Sequence, residues 1–430
     1  MRHAIVPLLV LAAIAAELPA QTAPEGRFAL FGGWAERESE GSGSSNLSEL
    51  IASLSIEPPR SSLQGFDYAL DLRVATFPSG DRDERISLYE AWVGFIGGDR
   101  RWSLRLGQMW VDELGGIGSV GGILGEYRPA VDTILGTIRI GLFGGVEPDR
   151  FDAGWDSDVT KAGGYVAVHG DRGRRHVLGY VRMENDSVTE RSVVVFNNFV
   201  PVGRKLFLYQ AAEYDLEGPA GLGDSDLTYL FANLRYSPAR IVQLQGTYHR
   251  GRSVDTRTIT EDHLAGRPIP VEALDGFLFE ATRVRVTVRP LRLLSVWVSW
   301  GHDRSNRDDE PRDRIGGGFS LRDILGAGFD LTATRSEIDH GSEAYDATYA
   351  SLGRSFGLRL YLSLDYHQSL AIYVYDTDGG TVTVRPDTRR YAVSANANLG
   401  RRYSLLLTLE QVDGDGLDTN RALVGTTVRF

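Results

Sequence analysis

Beyond about residue 26 the chain sets an apolar residue at every second position, segment after segment, and no stretch holds an apolar stripe at helical spacing for long. Phe66, Tyr68, Leu70, Leu72 and Val74 fall on one face, and Asp67, Ala69, Asp71, Arg73 and Ala75 on the other. Val284, Val286 and Val288 alternate with Arg283, Arg285, Thr287 and Arg289. Leu358, Leu360, Leu362, Leu364 and Tyr366 alternate with Arg359, Tyr361, Ser363, Asp365 and His367. Tyr391, Val393, Ala395 and Ala397 alternate with Ser394, Asn396 and Asn398, and Tyr403, Leu405, Leu407 and Leu409 with Ser404, Thr408 and Glu410. A period of two predicts strands with one apolar face and one polar or charged face.

A soluble sandwich shows the same alternation. Two features favour a barrel in a membrane. The segments return at about 10 residues, the length a tilted strand needs to cross hydrocarbon. Many also carry an aromatic near one end of the apolar face, such as Trp102, Trp300, Tyr248, Tyr391 and Tyr403, as interfacial girdles require. The last segment places Ala422, Val424, Thr426, Val428 and Phe430 on one face. It resembles the C-terminal signal of bacterial outer-membrane β-barrels, which implies that Val424, Val428 and Phe430 are read by the barrel-assembly machinery.

Short turns marked by Arg, Gly or Pro fall at residues 57–60, 97–100, 128–133, 170–174, 200–203, 237–239, 289–291, 321–325, 353–357 and 399–402. Longer, acid-rich stretches separate them, among them 36–46, 146–158, 215–225, 251–276, 303–312 and 376–387. Outer-membrane barrels have short periplasmic turns and longer extracellular loops. The expected fold is an all-β, transmembrane, antiparallel up-and-down β-barrel of even strand number, about 18 to 22. Residues 358–375 read either as one strand continuing past the membrane or as a strand plus a loop.

Composition supports this picture. Gly 50 in 430 residues suits tight turns, and Cys 0 excludes a disulfide framework. With 24% charged residues and 42% hydrophobic ones, the chain is too polar for several membrane helices. The net charge is −11, and the basic residues are almost all Arg, the exceptions being Lys161 and Lys205. An acidic chain without a basic tract is a poor nucleic-acid binder. Arg2-His3, an apolar run from Ala4 to Ala16 and Leu18-Pro19-Ala20 read as a signal peptide over residues 1–20. Residues 21–430 are then one barrel domain, exported to the bacterial outer membrane.

Residues 86–110 resemble a hairpin found in several outer-membrane porin families. There a Glu-Ala-aromatic strand, here Glu90-Ala91-Trp92, precedes an Arg-Leu-Gly-Gln strand, here Arg105-Leu106-Gly107-Gln108. The resemblance implies a passive channel and names no cargo.

If the apolar faces meet lipid, the polar faces line the lumen, and charged rings in a lumen set ion selectivity. The candidate lining residues are Asp67, Asp71, Arg73, Glu90, Arg105, Arg139, Arg182, Glu213, Arg235, Arg283, Arg285, Arg289, Asp365 and His367. The same charges could instead pair across strands and only stiffen the wall. Barrels of about 22 strands usually hold a plug. With the first strand beginning near Gly26, the lumen has to be narrowed by residues 251–276, the Gly-rich stretch 115–125, long Arg side chains or a partner protein.

Other motifs do not carry chemistry. Gly116-Ile-Gly118-Ser-Val-Gly121 fits a dinucleotide fingerprint but lacks the strand and helix that make one. Asp413-Gly-Asp415 and Asp376-Thr-Asp378 lack the bidentate Glu of a calcium loop, though loop acids can share divalent ions with lipopolysaccharide. His302-Asp303-Arg304-Ser305 and His340-Gly-Ser342-Glu343 read as loop polarity, not as hydrolase parts. The expected function is a porin-like channel for passive diffusion of small hydrophilic or charged solutes, with no enzymatic activity, metal or cofactor. The alternative is a barrel sheath holding a partner protein, such as a multihaem cytochrome or a surface lipoprotein. The expected partners are outer-membrane lipid, lipopolysaccharide and the assembly machinery.

Overall fold

The computed structural model describes residues 24–39, 43–58, 65–79, 82–149, 153–308, 310–324, 326–340, 343–377, 380–415 and 417–430. The expected signal peptide, Asp378 and Ser342 lie outside them. In chain order the strands are β1 (Glu25–Ser39), β2 (Gly43–Glu57), β3 (Gly65–Ser79), β4 (Arg85–Ile96), β5 (Trp102–Trp110), β6 (Ser119–Tyr127), β7 (Asp132–Thr133) and β8 (Gly136–Pro148). There follow β9 (Trp155–His169), β10 (Arg175–Asn185), β11 (Val188–Val202), β12 (Leu206–Glu217), β13 (Asp226–Ala239), β14 (Val242–Ser253), β15 (Phe277–Val288) and β16 (Leu294–Ser305). The last are β17 (Arg312–Ile324), β18 (Phe329–His340), β19 (Glu343–Phe356), β20 (Leu360–Thr377), β21 (Gly380–Val384), β22 (Asp387–Leu399), β23 (Tyr403–Gly414) and β24 (Leu417–Arg429).

Twenty-two of these form one antiparallel wall. β7 is a two-residue bridge on β8, and β21 a ribbon that prolongs β20 past the wall. β24 returns to pair with β1 from Arg27↔Arg429 to Ser39↔Leu417, so the sheet closes on itself. The even count brings Glu25 and Arg429 to one end. The short turns expected from the sequence fall at that end, hereafter the turn end, although residues 59, 60 and 325 of the expected turns 57–60 and 321–325 lie outside the described residues, and the longer connections fall at the opposite, loop end.

The strands run further than the sequence pattern suggested. Residues 36–46 lie largely in the β1–β2 ladder, where Glu36 pairs with Asn46, and residues 360–377 form a single strand. One loop-end connection is a tight hairpin. Asp186 and Ser187 turn between β10 and β11 with φ of 47° and 68°, the left-handed pair a two-residue turn requires.

Around the middle of the wall the two faces differ in character. Leu104, Leu106, Leu142, Val166, Leu178, Val298, Leu364 and Val393 are exposed on the outside. Residues on the other face, such as Tyr165 beside Val166 and Val177 beside Leu178, are buried with Val181 against an inward-folded stretch of chain. Exposed aromatics gather near both ends of the outer belt, with Phe66, Phe95, Trp102, Tyr127 and Tyr403 towards the turn end and Trp110, Trp155, Trp300 and Tyr391 towards the loop end. Val424 and Val428 face outward on β24, and Phe430 packs beside the cluster of Phe28 and Leu54.

Val286 and Arg285 are neighbours on opposite faces of β15. Val286→Arg is expected to cost about 2 to 4 kcal/mol near mid-depth in a bilayer and to lower the yield of folded barrel. Arg285→Ala should fold as well as the parent. The gel mobility of unboiled samples after refolding into lipid checks this, and equal yields of the two variants would invert the face assignment.

Candidate functional site: the lumen and its inward segments

The stretch between β5 and β6 turns into the barrel as a short helical segment, Asp112–Ile117. It lies against the lumen faces of β9, β10 and β11. Leu114 is fully buried there with Met109, Val111, Ile117, Val120 and Leu124, over a wall of Tyr165, Val177, Val181, Val193 and Val195. Glycines in the wall make the room. A Cβ on Gly179 would collide with Leu114, one on Gly163 with the Phe143 ring, and one on Gly141 with the Tyr165 ring. Burying a leucine in such a hollow stabilises by about 1.5 to 3 kcal/mol.

Polar contacts fix the same segment. Arg139 on β8 donates to buried Glu113 at 2.8 Å, and its other terminal nitrogen pairs with Glu126 on β6. Tyr165 donates its hydroxyl proton to the same Glu126. The Asn197 amide donates to the Glu113 carbonyl at 2.8 Å, and Arg175 to the Asp112 carbonyl at 2.9 Å. The carboxylates are thus paired as well as buried, the condition under which buried charge is tolerable.

A second inward element comes from the loop end. The connection between β14 and β15 holds the helix Thr256–Leu264, capped by Asp255, whose side chain accepts the Thr258 N–H at 3.2 Å. The helix packs on β10, β11 and the turn Pro219–Gly221. Arg257 at its start reaches three carboxylates on three strands: Glu147 on β8 and Asp156 on β9 at 2.5 Å, and Glu190 on β11 at 2.7 Å. Burial alone would favour the neutral guanidine, but these carboxylates outweigh it and hold Arg257 above its ordinary range. Both narrowing stretches named from the sequence therefore contribute. Of the Gly-rich stretch only the part before Ser119 enters the lumen, while Gly121, Gly122 and Gly125 belong to the wall strand β6.

Thirteen of the fourteen candidate lining residues lie on the lumen side by register or by continuation of it. Asp67 is 3.9 Å from Arg105, which also lies over the Trp92 ring at 4.5 Å. Asp71 pairs across with Glu90, and Arg73 with Ser53 and Ser87. Glu213 meets Arg191 at 2.8 Å. Arg235 lies over Phe207 at 5.2 Å and Arg285 over Trp297 at 4.3 Å. Arg283 approaches buried Asp303 at 3.8 Å, and Arg289, just past the end of β15, approaches Gln243 at 3.5 Å. Asp365 accepts hydrogen bonds from the Tyr349 hydroxyl at 2.8 Å and the Ser363 hydroxyl at 2.9 Å, and His367 pairs in register with Arg390.

Arg182 is the correction. It shares the outward face of β10 with exposed Leu178 and Tyr180, and pairs with Glu184 at 2.8 Å near the loop-end rim. A rim position can keep an outward Arg hydrated, so polarity alone did not report the face there. His302 and Asp303 likewise fall on opposite faces, His302 bonding Asp313 at 2.9 Å outside and Asp303 lying inside. They form no catalytic pair.

Sequence reasoning missed Glu113, Glu126, Arg191, Arg257, Asp303 and Arg314. Val193-Val194-Val195-Phe196, apolar on both faces, was the available signal that part of the lumen wall is covered. Nothing local marked Arg257, whose three partners lie 67 to 110 positions away.

Searches against protein-family models and against curated proteins found no match. Among solved structures, OpdQ of Pseudomonas aeruginosa is 11% identical with a TM-score of 0.43, covering 95% of this chain and 99% of that one. OccAB4 of Acinetobacter baumannii is 9% identical with a TM-score of 0.43, covering 96% and 100%. The P pilus usher PapC translocation pore is 10% identical with a TM-score of 0.47, covering 94% and 99%. The barrel assignment above rests on the strand pairing of this chain alone.

Two variants test the inward elements separately. Gly179→Val should unseat Leu114 while leaving every charge in place, and single-channel conductance in a planar bilayer should rise. Arg257→Ala leaves three carboxylates without their shared cation, at a cost of about 1 to 3 kcal/mol to the folded loop. Its signature should be noisier current and faster protease cleavage between residues 254 and 276. Unchanged conductance in Gly179→Val would mean that the segment does not set the bore.

Proposed function

We propose that the protein is an outer-membrane channel for passive diffusion of small hydrophilic solutes, with a preference for anions. The outer belt of apolar and aromatic side chains suits a bilayer, and by the usual asymmetry of such barrels the turn end is periplasmic and the loop end external. The observation that carries the reading is Arg283. It alternates with Val284 and Val286 along β15, and 53% of its side chain is accessible, which supports a solvent-filled lumen beside it. Arg285, Arg289 and Arg314 belong to the same stretch of wall. Buried Asp303, 3.8 Å from both Arg283 and Arg314, is one carboxylate among these guanidiniums. A surplus of fixed positive charge along a water-filled path favours anions.

The second reading, a sheath around a partner protein, is less favoured. The Asp112–Ile117 segment and the helix Thr256–Leu264 already occupy lumen space, and each is held by buried contacts that a threaded partner would have to break.

The purified barrel should give stable conductance steps in a planar bilayer. In a salt gradient, the reversal potential of the Arg283→Ala, Arg285→Ala variant should move towards cation preference while its folding yield stays at the parent level. A folded barrel that conducts nothing would overturn the channel reading.

A further inference from the structure

The loop-end half of the lumen contains a cavity of about 810 Å³ between the tip of the inward segment at Gly116 and Ile117, the wall strands β11 to β15 and the loop residues 254–257. Two independent properties distinguish it from the arginine-lined stretch nearer the turn end. The first is a row of aromatic rings on the lumen face, where water would ordinarily select polar side chains. Tyr229 on β13, His249 on β14 and Phe279 on β15 line it, with Phe277 beside them. The Tyr229 and His249 ring centres are 5.6 Å apart at 67°, and those of His249 and Phe279 are 5.9 Å apart at 64°.

Gly251 explains why these rings stay open. In register it sits between Tyr229 and Phe279 on the same face, so a recess walled by three rings has backbone for a floor. A Cβ there would meet only the His249 ring, at 3.5 Å.

The second property is charge. The cavity is lined by seven carboxylates, Glu147, Asp149, Asp156, Glu190, Glu213, Asp215 and Asp255, against Lys161 and three arginines. Arg191 is shared by Glu213 at 2.8 Å and Asp215 at 3.0 Å, and Glu213 is the cross-strand neighbour of Tyr229. The negative surplus thus reaches the recess itself.

We propose that this recess is a binding subsite for a small organic ammonium ion, its alkyl groups against Tyr229, His249 and Phe279 and its charge towards Glu213 and Asp215. Ring faces attract cations through their quadrupoles, most strongly cations that shed water easily. An ammonium bearing alkyl groups meets that condition. A hard metal ion does not, because it needs several oxygens converging on one point, and no group of three metal-ligating side chains converges in that way among the described residues. Anions are disfavoured by the carboxylates. The channel would then hold two stations of opposite sign, this one at the loop end and Arg283, Arg285 and Arg289 further along β15 towards the turn end.

The proposal rests on the reading of the lumen as water-filled, so its test measures binding and not current. Folded protein in detergent is titrated calorimetrically with choline chloride, with potassium chloride, maltose and benzoate as comparison solutes at matched ionic strength. Choline should bind, and the other three should neither bind nor compete. Phe279→Ala and Tyr229→Leu should each weaken choline binding about tenfold, and Glu213→Gln should weaken it further without removing a ring. Parent-level binding in the two ring variants would overturn the proposal, as would maltose competing as well as choline or a folded parent that ignores choline. A barrel that binds choline yet does not conduct would sink the channel reading and leave the subsite standing.

Discussion

The pairing of β1 with β24 is the constraint on which the rest depends. A sheet surrounded by hydrocarbon cannot leave a row of N–H and C=O groups unbonded, because each would cost several kcal/mol with no water to replace its partner. Closure removes both edges at once. It runs the length of both strands and ends in mutual backbone bonds between Gly26 and Phe430, at 2.9 and 3.0 Å. Gly26 permits this final contact, since a side chain there would strike the Phe430 ring. The even strand count, the segregation of turns from loops and the constancy of the two faces around the wall all follow from that seam.

With the backbone satisfied, the inward side chains are free to differ around the circumference, and they do. From β8 to β11 the wall carries glycine, valine and aromatic residues under a seated segment, held by two carboxylates on Arg139. Further round, β15 to β17 carry arginines over Trp297 and around Asp303. The lumen is eccentric: both inward elements pack on the β9 to β11 side, and the arginines of β15 to β17 are left uncovered.

The fold was legible because period-two alternation over hundreds of residues has few other causes, and because a strand with one apolar outer face tolerates little departure from it. Face assignment failed at Arg182, where the strand leaves the apolar belt and the energetic reason for alternation lapses. Strand ends were misjudged for a related reason: β1 and β2 continue their ladder through Glu36 and Asn46, where hydrogen bonding persists after apolarity stops. The lumen was only half legible. Alternation was enough to put individual arginines on the polar face, but the partners of Glu113 and Arg257 come from strands remote in sequence, and pairing of that kind has no local pattern. Bulges such as the one at Met183 and Glu184 shift register without a sequence mark.

The fit of Leu114 to Gly179 bears on how such a barrel can change over generations. A bulkier residue at position 179 is harmless only if residue 114 shrinks in compensation, so neither position drifts alone. The seating of the inward segment depends on a matched pair of surfaces, one on a loop and one on the wall. A loop grafted from a sister barrel would arrive without its socket, and surface loops elsewhere on the rim can diversify freely while this one stays tied to its strand.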